Sequence, residues 1–140
     1  MNLIIELIDP TQEILIPKRM TDNSVGFDVA ASEGVLIFRN ETLKIPLGFK
    51  LEIEPGYWAM LAPRSSLHKK NLIVPNSIGV IDSDYRGEVM MLVHNMGNNT
   101  ETINQFERIG QLIILPALEV YVKTGSVNKS NRLGGFGSTS

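Results

Sequence analysis

From Leu47 to Glu54 the chain alternates strictly: Leu47, Phe49, Leu51 and Ile53 are apolar, with Gly48, Lys50, Glu52 and Glu54 between them, ahead of a Pro55-Gly56 turn. Successive side chains of an extended chain point to opposite faces, so this pattern predicts a strand with one wet face. Leu118, Val120 and Val122 alternate in the same way with Glu119, Tyr121 and Lys123. Val89 to Val93 and Leu112 to Leu115 are continuous apolar runs bounded by Gly, Asn and Pro. They are too short for self-sufficient helices and read as strands buried on both faces. No window of eleven residues or more keeps a 3.6-residue period, and only Ser65 to Asn71 has room for a helical turn or two. The 12 glycines and 7 prolines punctuate the chain at short intervals, as many short strands require. The predicted class is all-β, a sandwich or barrel without internal repeats and with at most one short helix.

Composition narrows the chemistry. A chain of 140 residues is one domain's worth, and 43% hydrophobic with 20% charged residues are globular proportions. No stretch approaches the ~20 apolar residues of a membrane-spanning helix. Met1 to Pro10 carries Glu6 and Asp9 and no Lys or Arg, unlike a secretion signal. A cytoplasmic protein with no membrane partner is expected. The absence of cysteine excludes disulfides, thiolate metal sites and cysteine nucleophiles, leaving catalysis to oxygen and nitrogen groups. A net charge of −2 argues against a nucleic-acid partner. That charge is unevenly spread: all 15 acids precede residue 123, whereas Lys123, Lys129 and Arg132 follow it. Twelve of the last eighteen residues are Gly, Ser, Thr or Asn. Such a tail cannot offset its ordering entropy by burial. Two readings stand: a frayed terminus, or an arm that orders over a ligand, with Arg132 offering a fork to phosphate and Phe136 a ring to stack.

The densest polar stretch runs Gly79-Val80-Ile81-Asp82-Ser83-Asp84-Tyr85-Arg86-Gly87-Glu88. In an extended segment Asp82 and Asp84 share a face, where mutual repulsion raises one toward a general base's range; the alternative is a hairpin turn built on Asp and Gly for backbone reasons. A calcium loop starting at Asp82 fails, because Arg86 and Val93 occupy positions that need oxygen ligands. Pro63-Arg64-Ser65-Ser66-Leu67 precedes the one helix candidate, so Ser65 is placed to cap it while Arg64 and backbone N–H groups face an anion; a plain capped turn is the alternative. His68 and His94 have no ligand spacing, and no nucleophile elbow, Walker loop or dinucleotide fingerprint occurs.

Five segments fall in one order: Gly26-Phe27-Asp28-Val29; Pro63 to Leu67; Asn76 through Gly87; Arg108-Ile109-Gly110-Gln111-Leu112; and Arg132 with Gly134-Gly135-Phe136-Gly137-Ser138-Thr139. In this ordered set the chain resembles the homotrimeric dUTPases over nearly its whole length. The resemblance implies a jelly-roll type β-sandwich or barrel, one domain over 1–140 with a β body (1–122) and a flexible C-terminal arm (123–140). It implies a homotrimer with sites shared between subunits, splitting dUTP into dUMP and pyrophosphate with Mg2+, which limits uracil in DNA and supplies dUMP for thymidylate synthesis. Asp82 matches the base that activates the water attacking the α-phosphorus, and Tyr85 the ring under the deoxyribose. Asn76, Val80, Ile81 and Met90 match the uracil-reading hairpin. Arg64, Ser65, Ser66 and Gln111 match phosphate-contacting positions. Asp28 matches the carboxylate that holds water around a magnesium bound mainly by the triphosphate. Arg132 and Phe136 match the arm's phosphate clamp and stacking ring.

Ser66 stands where the family usually has glycine and Phe27 where it has tyrosine. Arg132 lies one residue closer to Phe136 than is common, and Ser140 replaces a frequent glycine. The related dCTP deaminases share the fold and a similar Arg-Ser-Ser-Leu segment, but after the Asp82 position they would read Pro-Gly-Trp-Glu where this chain has Ser83-Asp84-Tyr85-Arg86. A non-enzymatic nucleotide-gated binding module is the reading from another class, and it gives no use to Asp82.

Overall fold

The computed structural model describes residues 1–137; Ser138, Thr139 and Ser140, the last positions of the expected arm, lie outside the described residues. Those described form eleven strands: β1 (Ile4–Leu7), β2 (Phe27–Ala30), β3 (Val35–Ile37), β4 (Thr42–Pro46), β5 (Phe49–Glu52), β6 (Tyr57–Pro63), β7 (Leu72–Ile73), β8 (Gly79–Ile81), β9 (Met90–Asn95), β10 (Glu101–Ile103) and β11 (Arg108–Pro116). The all-β class holds. Helical structure among the described residues is limited to two 3-10 segments, Ser65–Lys70 where a turn was expected and Glu13–Leu15 where none was.

The strands form four antiparallel sheets, ordered β2-β11-β6-β8, β4-β9-β7, β1-β5 and β10-β3. No two strands consecutive in sequence pair with each other, so every ladder is closed by long-range contacts. One core serves all four sheets: Val29, Ile37, Ile45, Phe49, Leu61, Leu72, Met91, Val93, Ile103, Ile109 and Leu112 belong to a single buried cluster, and Ile5 and Leu7 of β1 pack against it. The alternation at Leu47 to Glu54 is real, with Leu47, Phe49, Leu51 and Ile53 all buried, but the ladder covers only Phe49–Glu52. Gly48 is the interruption. Its φ of +81° belongs to a region that L side chains rarely adopt, and an added Cβ would run into the Leu15 side chain and lie 3.0 Å from Ser32 Cβ.

Three expectations are corrected. Strand β9 is buried on one face only, with Met91 and Val93 inside and Met90 44% exposed, because its second face borders a cleft. In β11 Leu112 is buried whereas Ile113, Ile114 and Leu115 are half-buried. The alternating segment beyond it forms no strand: the last ladder ends at Pro116, and Leu118, Val120 and Val122 are 87%, 71% and 92% exposed. Alternation prepares a strand for an edge but does not supply the edge.

Candidate active site

Strand β8 leaves the end of one sheet and β9 starts in another, so residues 82–89 bridge two sheets instead of turning a hairpin. Between the sheets lies a cleft of about 350 Å3 lined by Asn76, Gly79, Val80, Ile81, Asp82, Tyr85, Val89 and Met90, with Leu61, Lys44 and Leu92. Six of the residues singled out from the sequence therefore line one cleft: Asn76, Val80, Ile81, Asp82, Tyr85 and Met90. Strand β8 is the edge of its sheet, paired only with β6 through Ala59↔Ile81, Met60↔Val80 and Leu61↔Gly79. Among the described residues its other edge joins no ladder, which leaves backbone N–H and C=O groups there open to a partner.

The bridge folds as a turn closed by Tyr85 N–H donating to Asp82 O at 3.2 Å. The turn sends Asp82 and Tyr85 to the cleft, while Ser83, Asp84 and Arg86 line a separate groove beside Asn2, Ile4 and Glu52–Pro55. The extended geometry that would have placed Asp82 and Asp84 on one face does not exist, because the local hydrogen bond bends the chain between them. Tyr85 Oη donates to Glu88 O at 2.8 Å. An added Cβ on Gly87 would sit 2.5 Å from that hydroxyl and 2.7 Å from Cζ, so this position must stay glycine for the ring to lie where it does.

A second cluster forms where β2, β11 and β6 run side by side. Cross-strand register sets Gln111 opposite Asp28 on one flank and Ala62 on the other. Asp28 Oδ2 lies 3.3 Å from Arg64 Nη1 and 3.9 Å from Arg108 Nη1, and this buried oxygen has no hydrogen-bond partner among the described residues. Gly26 packs against the Gln111 side chain. Arg64 N–H donates to Ile109 O at 3.0 Å. At the far end of the 3-10 turn, Lys70 Nζ donates to both carboxylate oxygens of Glu107 at 2.9 Å and to Thr102 O at 2.7 Å. Both ends of the Arg64–Lys70 segment are thereby fixed to β11 and its approach. Ser65 is the first residue of that turn and not its cap; Arg64 holds the cap position with an extended backbone and no side-chain cap bond. Ser65 and Ser66 are exposed beside it.

Arg132 and Phe136 stand apart from both groups: each is exposed, and neither lines the cleft. Lys44, Leu61 and Leu92 were missed from the sequence, as was the part played by Arg108. Lys44 sits in an alternating strand and reads as an ordinary solvent-facing residue; only the register Lys44↔Leu92, two positions from Pro46↔Met90, brings it to the cleft. Arg108 reaches Asp28 beside the irregularity between Arg108 and Gly110 in the β11–β2 ladder, which no periodicity announces.

A family model described as dUTPase matches residues 12–140. The deoxyuridine 5'-triphosphate nucleotidohydrolase of Hahella chejuensis is 41% identical, over 98% of this chain and 95% of its own. That of Burkholderia thailandensis is 37% identical, over 99% and 98%. The solved dUTPase from Streptococcus mutans is similar with a TM-score of 0.80 at 33% identity, covering 84% of this chain and 98% of that one. A Staphylococcus bacteriophage 80alpha dUTPase with dUpNHpp has a TM-score of 0.80 at 22% identity, over 99% and 95% of the two chains, a likeness of fold.

Proposed function

Because the chain belongs to the dUTPase family and hydrolyses dUTP to dUMP, we propose that a water activated by Asp82 attacks the α-phosphorus, with pyrophosphate as the leaving group. The observation that carries this reading is the cleft itself, which is lined by a carboxylate, an aromatic ring and the edge strand of a sheet. The edge of β8, with Asn76 and Met90, reads the uracil ring through backbone groups that rotamer changes cannot move. Val80 and Ile81 belong to that edge. The Tyr85 ring, pinned through its hydroxyl, lies under the deoxyribose and leaves no room for a 2′-hydroxyl. Asp82 accepts the proton of the attacking water and holds it in line, so positioning and proton transfer act together.

The phosphates are received by Arg64, Ser65, Ser66 and Gln111. Guanidinium and amide donors there stabilise the oxygens on which negative charge builds. No cluster of three or more His, Cys, Asp or Glu is arranged to hold a metal among the described residues, and Asp28 has one buried carboxylate oxygen that makes no hydrogen bond there but faces the Arg64 and Arg108 guanidiniums. This donor set fits Mg2+, a hard cation that keeps several waters and binds chiefly through substrate phosphates plus one or two carboxylates, with Asp28 holding its water shell. When bound, Mg2+ supplies charge neutralisation across the triphosphate.

The same reading makes 123–140 an arm on a β body, carried to a neighbouring subunit of a homotrimer, where Arg132 clamps phosphate and Phe136 covers the uracil. It is supported by the exposure of Arg132, Phe136 and the alternating Leu118, Val120 and Val122 in the single chain. The enzyme works in the cytoplasm, where it keeps uracil out of DNA and feeds thymidylate synthesis with dUMP. The test is incubation with dUTP, dCTP, dTTP and UTP, with and without Mg2+, and chromatography of the products. Mg2+-dependent dUMP and pyrophosphate from dUTP alone is the expected result; dUTP formed from dCTP, or turnover indifferent to Mg2+, would overturn it.

A further inference from the structure

Arg86 lies in the loop that carries Asp82 and Tyr85 but points away from the cleft, into the groove beside β1 and β5. Its Nη1 nitrogen donates to Ser83 O at 2.7 Å and to Tyr85 O at 3.1 Å. Its Nη2 faces Glu52 Oε1 at 3.7 Å. Glu52 belongs to β5, whose register with β1 places it opposite Ile4. The two carbonyls that Arg86 gathers lie within the turn closed by Tyr85 N–H and Asp82 O. One guanidinium thus joins both carbonyls from behind and ties the turn to a strand of another sheet.

We propose that Arg86, braced by Glu52, is a positioning residue that fixes the Asp82–Tyr85 turn against the cleft. This rests on the roles given above to Asp82 and Tyr85. A planar fork with several fixed donors is suited to satisfying two carbonyls at once, and both bonds are charge-assisted. The pair with Glu52 is long and more than half exposed on both sides, so it orients the guanidinium and adds little stability. Without the strap, the turn keeps its one backbone bond and the Tyr85 hydroxyl bond to Glu88 O, neither of which ties it to another sheet, and it samples other arrangements. Asp82 then loses its line to the attacking water and Tyr85 its seat under the sugar, two losses with separate signatures.

The experiment compares full-length Arg86→Met, Arg86→Lys and Asp82→Asn with the parent, each checked for melting temperature and size. Rates on dUTP are measured over a concentration series with UTP titrated as inhibitor, so that KM for dUTP and Ki for UTP come from one preparation. Arg86→Met is expected to lower kcat at least tenfold and to narrow the ratio of the two constants at least threefold. Arg86→Lys is expected to keep part of both, because an ammonium is not a planar fork. A residue with only a structural role would change the amount of folded enzyme, which scales kcat and leaves the ratio alone. That outcome overturns the proposal, as does an unchanged kcat. If Arg86→Met fails to fold, Arg86→Lys decides: an intermediate loss supports the strap and parent-like constants overturn it. Asp82→Asn separates the two layers. An inactive Asp82→Asn beside a normal Arg86→Met removes the strap and leaves the base in place, whereas an active Asp82→Asn removes the base and the strap with it.

Discussion

Replacing Gly26 by alanine should damage catalysis while sparing the fold. The added Cβ would meet Gln111 Oε1, with Gln111 Cβ at 3.0 Å and Cδ at 3.2 Å; the amide end swings away by rotation, while Gln111 Cβ, which no rotamer change moves, gives by a few tenths of an ångström. On stability the effects nearly cancel. Alanine narrows the unfolded ensemble by about 0.4–1 kcal/mol, and driving a glutamine off its rotamer costs about 0.5–1.5 kcal/mol. The net change is within about 1 kcal/mol, or about 4 °C in melting temperature for a chain of this size. Activity has no such compensation. If the Gln111 amide donates to a substrate phosphate, losing a hydrogen bond to a charged group costs about 1.5–3 kcal/mol, which is about 10- to 150-fold in kcat/KM. Gly110→Ala is the contrasting case. There the Cβ meets Ala62 O at 2.9 Å and Met91 Sδ at 3.0 Å, a backbone atom and a core side chain, so overpacking should remove about 1–3 kcal/mol of stability. Steady-state kinetics on dUTP and thermal melts of both variants suffice. A Gly26→Ala protein with parental kcat/KM would refute the phosphate role of Gln111, and one that melted as low as Gly110→Ala would refute the steric argument.

Ending the chain at Asn131 should abolish most activity and shift the melting temperature by less than about 4 °C, since the removed residues that are described bury little against the core; differential scanning calorimetry beside the dUTP assay checks both, and a large fall in melting temperature would show a structural arm. Asp82→Asn chains and chains ending at Asn131, each inactive alone, should regain dUTP hydrolysis when unfolded and refolded together, because a mixed trimer joins an intact cleft from one chain to an intact arm from another. Trimers verified by light scattering that stay inactive would refute shared sites and leave the enzyme assignment standing.

Much of the strand pattern and of the cleft lining is legible in the sequence. The two-residue period at Leu47–Ile53 named four core residues correctly, because side-chain direction along a strand is set by the backbone alone. The clustering of Asn76, Val80, Ile81, Asp82, Tyr85 and Met90 was contained in one short stretch of chain, since residues so close in sequence have little freedom to separate. Arg64 is singled out by residue type and neighbourhood, and the structure sets its Nη1 3.3 Å from Asp28 Oδ2.

Other features came only with the third dimension. Asp82 and Asp84 were assigned one face by alternation, and a single hydrogen bond across the turn put them on two. The alternative reading of that stretch, a hairpin turn, fails as well, since β8 and β9 join different partners: which edges meet depends on the packing of the whole core and not on the intervening turn. Lys44 reached the cleft, and Arg108 reached Asp28, through cross-strand register between segments 48 and 80 residues apart. Leu118 to Val122 carries the period of a strand yet joins no ladder among the described residues, since pairing needs a free edge at the right place. Side-chain period is a local property of the backbone and can be read along the chain; edges, registers and the backs of loops are set by contacts between distant segments, which exist only once the chain has folded.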